Sequence, residues 1–407
     1  MTATDPAVWP AQRRTVGTLA LVQVVGGIGN GAGLAVGALL VEQVSGSAGW
    51  AGLAVVAMTL GAAAFTVPLS DLAVHRGRRP ALTLGWLCGA LGAVAVVLGA
   101  QWDALAVLLI GFLLFGASTA ANLQSRFAAA DRAPAGGVGR SISLVVWATT
   151  VGSVLGPNLT GPGASVARWL GIPELAGPQV FSALSFAAAG ILTWVLLRPD
   201  PLARRHEGAG PRPRVLSALP HVRGRAAVAI VAVALSHAVM VAVMALTPVH
   251  MSGHGAALKV IGLTISLHIA GMFALAPVFG WLSDRWGPEP TILLGQAVLI
   301  LACGVAGTAG SSSAQITLGL VLLGLGWSMS VIAGAALLTG SVDPDVRPLV
   351  QGFSDLSMNL AGAFGGLLAG LVVAVWSFGA LNVAAAVLTV PVVLAVLADR
   401  PARQPTH

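Results

Sequence analysis

The sequence predicts an all-α polytopic membrane protein of twelve transmembrane helices in two six-helix bundles, with both termini on the cytoplasmic side. Three observations carry this expectation. The 407 residues are 56% hydrophobic and only 9% charged, whereas soluble domains carry roughly 25% charged residues. The apolar residues gather into twelve stretches long enough to cross a bilayer. One arginine- and proline-rich stretch divides those twelve into six and six. With a mean hydropathy of +0.89, a soluble fold could not hide so much apolar surface. The 52 glycines fit the same picture, because small residues let helices approach closely inside lipid.

A helix needs about 20 apolar residues to cross a hydrocarbon core about 30 Å thick. In chain order the spans read 15–41, 49–72, 80–100, 103–128, 140–165, 177–197, 226–249, 258–283, 290–310, 313–339, 349–375 and 378–397. The first follows Arg13 and Arg14 and is long, so it reads as a retained helix and not a cleaved signal peptide. The second and third are joined through Arg76, Arg78 and Arg79, and the fourth and fifth through Arg132 and Arg140. The sixth and seventh are joined by 198–225, which holds seven arginines. Arg285 lies between the eighth and ninth, Arg347 between the tenth and eleventh, and Arg400 and Arg403 follow the twelfth. The alternate connections hold only Arg168 and Lys259. Excess basic charge marks the cytoplasmic side, so both termini are expected inside. The boundary between the last two spans falls near Trp376. The domains are then 1–197, a cytoplasmic linker over 198–225, and 226–407.

The formal charge of +7 and pI near 11.3 report topology and not nucleic-acid binding, because the arginines sit in short connections between spans. Cys88 and Cys303 lie in separate apolar segments with no CxxC, so they read as packing residues without a disulfide framework. No GxSxG, P-loop, HExxH or CxxC metal site is present. Tyrosine is absent and the acids are few and scattered. An enzyme is therefore not expected, nor a resident cofactor.

Two connections repeat. The first runs Pro68-Leu-Ser-Asp71 to Arg76-Gly77-Arg78-Arg79, and the second Gly280-Trp-Leu-Ser-Asp284-Arg285-Trp-Gly287. Both resemble the G-x-L-[AS]-D-R-x-G-R-R signature of the major facilitator superfamily. The first copy departs from it, with Pro68 for the glycine and three extra residues between Asp71 and Gly77. The resemblance implies two bundles that rock about a central site, in a multi-pass protein of the cytoplasmic (inner) membrane functional as a monomer. It also implies that Asp71, Arg78, Asp284 and Arg285 hold an inward gate. The alternative is that they are ordinary positive-inside charges.

Sulfur and imidazole are unevenly spread. Four of the eight methionines and four of the eight histidines lie between His237 and Met272. In the seventh span His237, Met240 and Met244 share a helical face at i, i+3 and i+7, and in the eighth His268 and Met272 share one at i, i+4. Counted from outer ends at 249 and 258, Met240 and His268 both lie about 14 Å deep. His250, Met251 and His254 stand in the outer connection as a candidate capture mouth. Thioether and neutral imidazole without carboxylates suit monovalent copper better than calcium, magnesium or manganese. Being uncharged, thioethers line a low-dielectric path without the cost of a buried carboxylate.

The Met240-xxx-Met244 and His268-xxx-Met272 pair resembles the MxxxM and HxxxM motifs of the CcoA-type copper importers, a group within that superfamily. The resemblance implies copper as the transported substrate, with Met240 and His268 mattering most. Other readings compete. Met at i, i+4 is often flexible packing, His237 can be a hydrogen-bonded core histidine, and His250 and His254 can be solvated loop residues.

In the fifth span Gly152, Gly156 and Pro157 resemble the GxxxGP motif of proton-coupled drug antiporters, which would imply export of a small organic solute. The plainer reading is a kink with tight packing. Polar residues inside the membrane are functional candidates: Asn30, Asn122, Gln124, Arg126, Gln351 and Asp355. Asp355 either takes up a proton during transport or sits near water as a helix-start carboxylate, the favoured reading. A haem-binding redox protein ligated by His237 and His268 is a third class, without a CxxCH to support it.

Overall fold

The computed structural model describes residues 8–46, 50, 53–134, 136–202, 219–256 and 258–399. Among the described residues every regular element is helical and there is no strand. The chain forms two compact units. The first comprises Met1–Ala218 and Asp343–Leu356, and the second Leu219–Val342 and Ser357–His407.

The first unit holds α1 (Val8–Ser45), α2 (Leu53–Arg76), α3 (Arg78–Gln101), α4 (Leu105–Ala130), α5 (Val138–Leu155), α6 (Thr160–Leu170) and α7 (Gly177–Leu196). Its core is apolar and aromatic. Phe115 and Phe186 meet edge to face with centroids 4.9 Å apart, and Trp86 lies 5.8 Å from Phe186.

The second unit holds α8 (Arg225–Gly253), α9 (Leu258–Phe273), α10 (Ala276–Trp286), α11 (Pro288–Gly307), α12 (Ser313–Ser341), α14 (Phe378–Val387) and α15 (Val390–Ala398). Helix α13 (Arg347–Val375) contributes its start to the first unit and its remainder, from Ser357, to the second. Helices α8 and α9 both pack on α12. On the remainder of α13, Leu360, Phe364, Leu367, Leu371 and Val375 are 41–69% exposed. An apolar face this continuous is stable only where the solvent is lipid.

Among the described residues eleven stretches are long and apolar enough to cross a membrane. They match eleven of the twelve expected spans. The fifth expected span, 140–165, is not one continuous helix. It divides at Gly156 into α5, a 3-10 turn over Pro157–Leu159, and α6. Proline removes a backbone donor and its ring obstructs the preceding turn, so the kink reading of Gly156-Pro157 holds. The eighth and twelfth spans also divide, before Pro277 and Pro391, into α9 and α10 and into α14 and α15. The seventh runs past its expected end at 249 to Gly253. Within the expected linker, residues 203–218 lie outside the described residues, as do Arg400 and Arg403.

Candidate functional site

Helix α9 lays the face carrying His268, Gly271 and Met272 against α12. A Cβ on Gly324 of α12 would stand 2.5 Å from the His268 carbonyl oxygen and 2.9 Å from Met272 N, so glycine is what lets the two backbones approach. His268 is wholly buried. Its Nδ1 lies 2.7 Å from the Leu320 carbonyl oxygen. A carbonyl only accepts, so Nδ1 carries the proton and donates. The other ring nitrogen, Nε2, is then a bare lone pair. It is buried and has no hydrogen-bond partner among the described residues.

Met240 and Met272 are buried and Met244 is half-buried, so none of these side chains is fully exposed at the unit surface. With α8 ending at Gly253, Met240 lies about 20 Å along its helix from that end and His268 about 15 Å from the start of α9. α8 thus runs about one turn past the expected end at 249.

His237 is held differently. The Trp327 indole N–H donates to His237 Nδ1 at 3.1 Å, and Trp327 meets Phe273 edge to face with centroids 5.9 Å apart. A Cβ on Gly362 of α13 would come within 2.6 Å of His237 Cδ2. His237 thus has the bonded-core character that the sequence allowed for. It belongs to an aromatic cluster of His237, Trp327 and Phe273. Beside it, Gln296 donates to both Ser236 Oγ at 2.9 Å and Ser330 Oγ at 2.8 Å, a buried polar link joining α11, α8 and α12.

His250 lies in the last turn of α8, and His254 stands in the turn that follows the helix's end at Gly253. Their ring centroids are 4.3 Å apart. His254 is exposed, whereas Met251 is buried and His250 is half-buried, stacked on Phe378.

The first unit holds a second, charged constellation. Arg78 is 1% exposed and pairs with Asp131 at 2.8 Å, and it also donates to Gln351. Arg126 pairs with Asp355. Asp355 is wholly buried, which corrects the favoured expectation of a carboxylate near water at a helix start. Two arginines and two aspartates balance in a dry interior, where unpaired charge is costly. Arg78 is therefore no ordinary solvent-facing charge, while Arg76 and Arg285 are exposed, Arg285 standing 5.9 Å over the Trp281 ring.

The two signature loops share a glycine of positive φ. Gly77 caps α3 with φ 93°, and Gly287 caps α11 with φ 96°, a region that side-chain-bearing residues rarely adopt. Three residues before Gly287 is Asp284. Three before Gly77 is Val74, which is buried. Asp71, with its backbone carbonyl bonded by His75, lies too far back to fill that position. The carboxylate at this loop comes instead from Asp200, which accepts from Arg78 N at 3.0 Å and Arg79 N at 2.8 Å.

The remaining polar candidates tie helices together. Asn30 accepts from Ser118 at 3.0 Å. Gln124 donates to the Thr66 carbonyl and to Ser70, and the Asn122 carbonyl accepts from Gln23. Gly152 and Gly156 let α5 lie on α1: a Cβ on Gly152 would stand 2.5 Å from Gly27 Cα, and one on Gly156 2.6 Å from Gly31 Cα. The sequence reasoning passed over Asp131, Asp200 and Trp327. Their only signal was that an arginine or histidine already singled out required a partner.

Residues 250–407 match the family model of the Major Facilitator Superfamily. The chain is 37% identical over 393 residues to the uncharacterized MFS-type transporter YdeG of Bacillus subtilis, covering 94% of this chain and 91% of that protein. It is 28% identical over 354 residues to the riboflavin transporter RfnT of Brucella anthropi, covering 86% of each. Among solved structures it is similar to the human organic anion transporter MFSD10 (TETRAN), with a TM-score of 0.75 at 17% identity over 95% of this chain and 99% of that one. It is also similar to a bacterial homologue of the iron transporter ferroportin in an outward-facing state, with a TM-score of 0.73 at 15% identity, again over 95% and 99%. At these identities the structural likeness speaks to the fold alone.

Proposed function

The chain belongs to the major facilitator superfamily and is a multi-pass membrane transporter of a small solute; from that premise we propose that its substrate is monovalent copper, imported across the cytoplasmic membrane through the Met/His path of α8 and α9. Residues 1–197 and 226–407 act as the two transport bundles and 198–225 as their linker, with both termini inside.

One observation carries this reading: the bare Nε2 of His268, held in a dry interior by the bond from Nδ1 to the Leu320 carbonyl. Metal-ligating histidines typically donate their other ring N–H to a carbonyl, which fixes the tautomer and the ring orientation. A neutral imidazole with neutral thioethers suits a soft monovalent ion. It also releases that ion more readily than a carboxylate cage would, which onward passage requires. Met240 and Met272, both buried, supply the sulfur. Because His268 is wholly buried, the ion reaches it only when the helices around it part, as alternating access provides. No catalytic step is involved, and copper is cargo and not a cofactor.

Uptake of radioactive copper by cells carrying the parent, Met240→Ala or His268→Ala tests the reading. Loss of uptake in His268→Ala with normal membrane abundance supports it. Parent-like uptake in both variants defeats it.

A second reading is favoured by the riboflavin transporter relative and by the aromatic cluster of Trp327, Phe273 and His237. In it a planar organic solute stacks on the Trp327 indole. Riboflavin uptake measured in the same strains separates the two. Proton-coupled efflux has less behind it, because Gly152 and Gly156 already serve the packing of α5 on α1.

A further inference from the structure

The geometry points to a second metal site, made by His250 and His254 at the end of α8 and separate from His268, that takes a borderline first-row cation such as Cu2+ or Zn2+. Both ring tautomers are set by backbone carbonyls. His250 Nε2 lies 2.9 Å from the Gly310 carbonyl oxygen, and His254 Nδ1 lies 2.8 Å from the His250 carbonyl oxygen. Each of those nitrogens must therefore donate. The bare nitrogens are then His250 Nδ1 and His254 Nε2. Each imidazole has the same backbone-anchored form that prepares histidine for metal ligation.

The pair is also preorganised. His254 N donates to the His250 carbonyl at 3.2 Å as the helix ends, which brings the two ring centroids to 4.3 Å apart. His250 stacks flat on Phe378, with centroids 4.3 Å apart and planes 13° from parallel. That fixes its rotamer before any ion arrives. His254 is exposed, so an ion has access from water. The site lies at the C-terminal end of α8, where the helix dipole presents partial negative charge and favours a cation.

The donor set decides the class of ion. Two neutral imidazoles favour copper or zinc over calcium or magnesium, which prefer carboxylate and carbonyl oxygen. Two protein ligands leave the other positions to water, so the ion exchanges readily. The arginine distribution assigns this end of the chain to the external side. The site therefore concentrates cation there whether or not His268 carries copper inward.

The test is Cu2+ added to the purified full chain and read by electron paramagnetic resonance. The expected result is one bound Cu2+ per chain with hyperfine coupling from two imidazole nitrogens. It is lost in His254→Ala and in His250→Ala and kept in His268→Ala. Because His254 is exposed, His254→Ala retains the parent melting temperature, so loss of signal there is loss of a ligand. An unchanged signal in the double variant His250→Ala/His254→Ala overturns the proposal, as does the absence of a two-nitrogen signal in the parent. Copper uptake lost in His268→Ala while this signal persists shows two independent sites. Failure of His268 as a ligand leaves the resonance result standing.

Discussion

Arg126 on α4 and Asp355 on α13 form a buried ion pair across 229 residues of sequence. It ties the start of α13 to the first unit, alongside Arg78 with Asp131 and Gln351. Removing one partner of such a pair costs about 3–5 kcal/mol, whereas replacing both with apolar residues is often neutral. Asp355→Leu is expected to lower the thermal midpoint in detergent markedly, and Arg126→Met/Asp355→Leu to recover most of the loss. A single variant as stable as the parent would show that the pair contributes nothing to the fold.

Asp200 caps α3 from far away in sequence, through Arg78 N and Arg79 N. Losing such a cap costs about 1 kcal/mol. Asp200→Ala is expected to lower the midpoint modestly and Asp200→Asn less, because the amide oxygen still accepts. The bond from Arg132 to the Asp200 carbonyl survives both changes, so any difference between them reads the cap.

Gly152 and Gly161 give a contrast within one expected span. A Cβ at Gly152 meets the α1 backbone at 2.5 Å, whereas one at Gly161 meets nothing within 4 Å. Gly152→Leu is expected to abolish accumulation of folded protein, measured by fluorescence-detected size exclusion, and Gly161→Ala to leave it unchanged.

Trp327→Phe removes the N–H that donates to His237 Nδ1, at a cost of about 1 kcal/mol for one lost hydrogen bond. Stability is expected to fall. If copper is the substrate, uptake by the folded fraction stays near parental. If a planar solute stacks on the indole, riboflavin uptake falls with Trp327→Ala far more than with Trp327→Phe.

Much of the architecture was legible because hydropathy reports directly on lipid contact. Arg13, Arg76 and the arginines of 198–225 marked the ends of spans, and Gly156-Pro157 announced the break in the fifth. The end of α8 was misjudged. Apolarity falls off after Val249, but the helix continues through Met251 to Gly253: backbone hydrogen bonding, and not side-chain hydropathy, sets its limit.

The site was legible in residue type and not in pairing. Spacing placed His268 with Met272 on one face, and both are buried. What fixes the His268 tautomer is the carbonyl of Leu320, and a backbone acceptor leaves no mark in a sequence. Asp355 was read as a solvated helix start because its counterion, Arg126, is remote in sequence and adjacent only after folding. Asp131 and Asp200 went unremarked for the same reason.

The break at Gly156 bears on how the protein is made. At 1.5 Å per residue, α5 and α6 reach about 27 Å and 17 Å, and neither alone spans a hydrocarbon core of about 30 Å. Gly27 and Gly31 of α1 provide the docking face, and α1 precedes α5 and α6 in the chain. The glycine face that receives the broken span is therefore already made when α5 and α6 are synthesised.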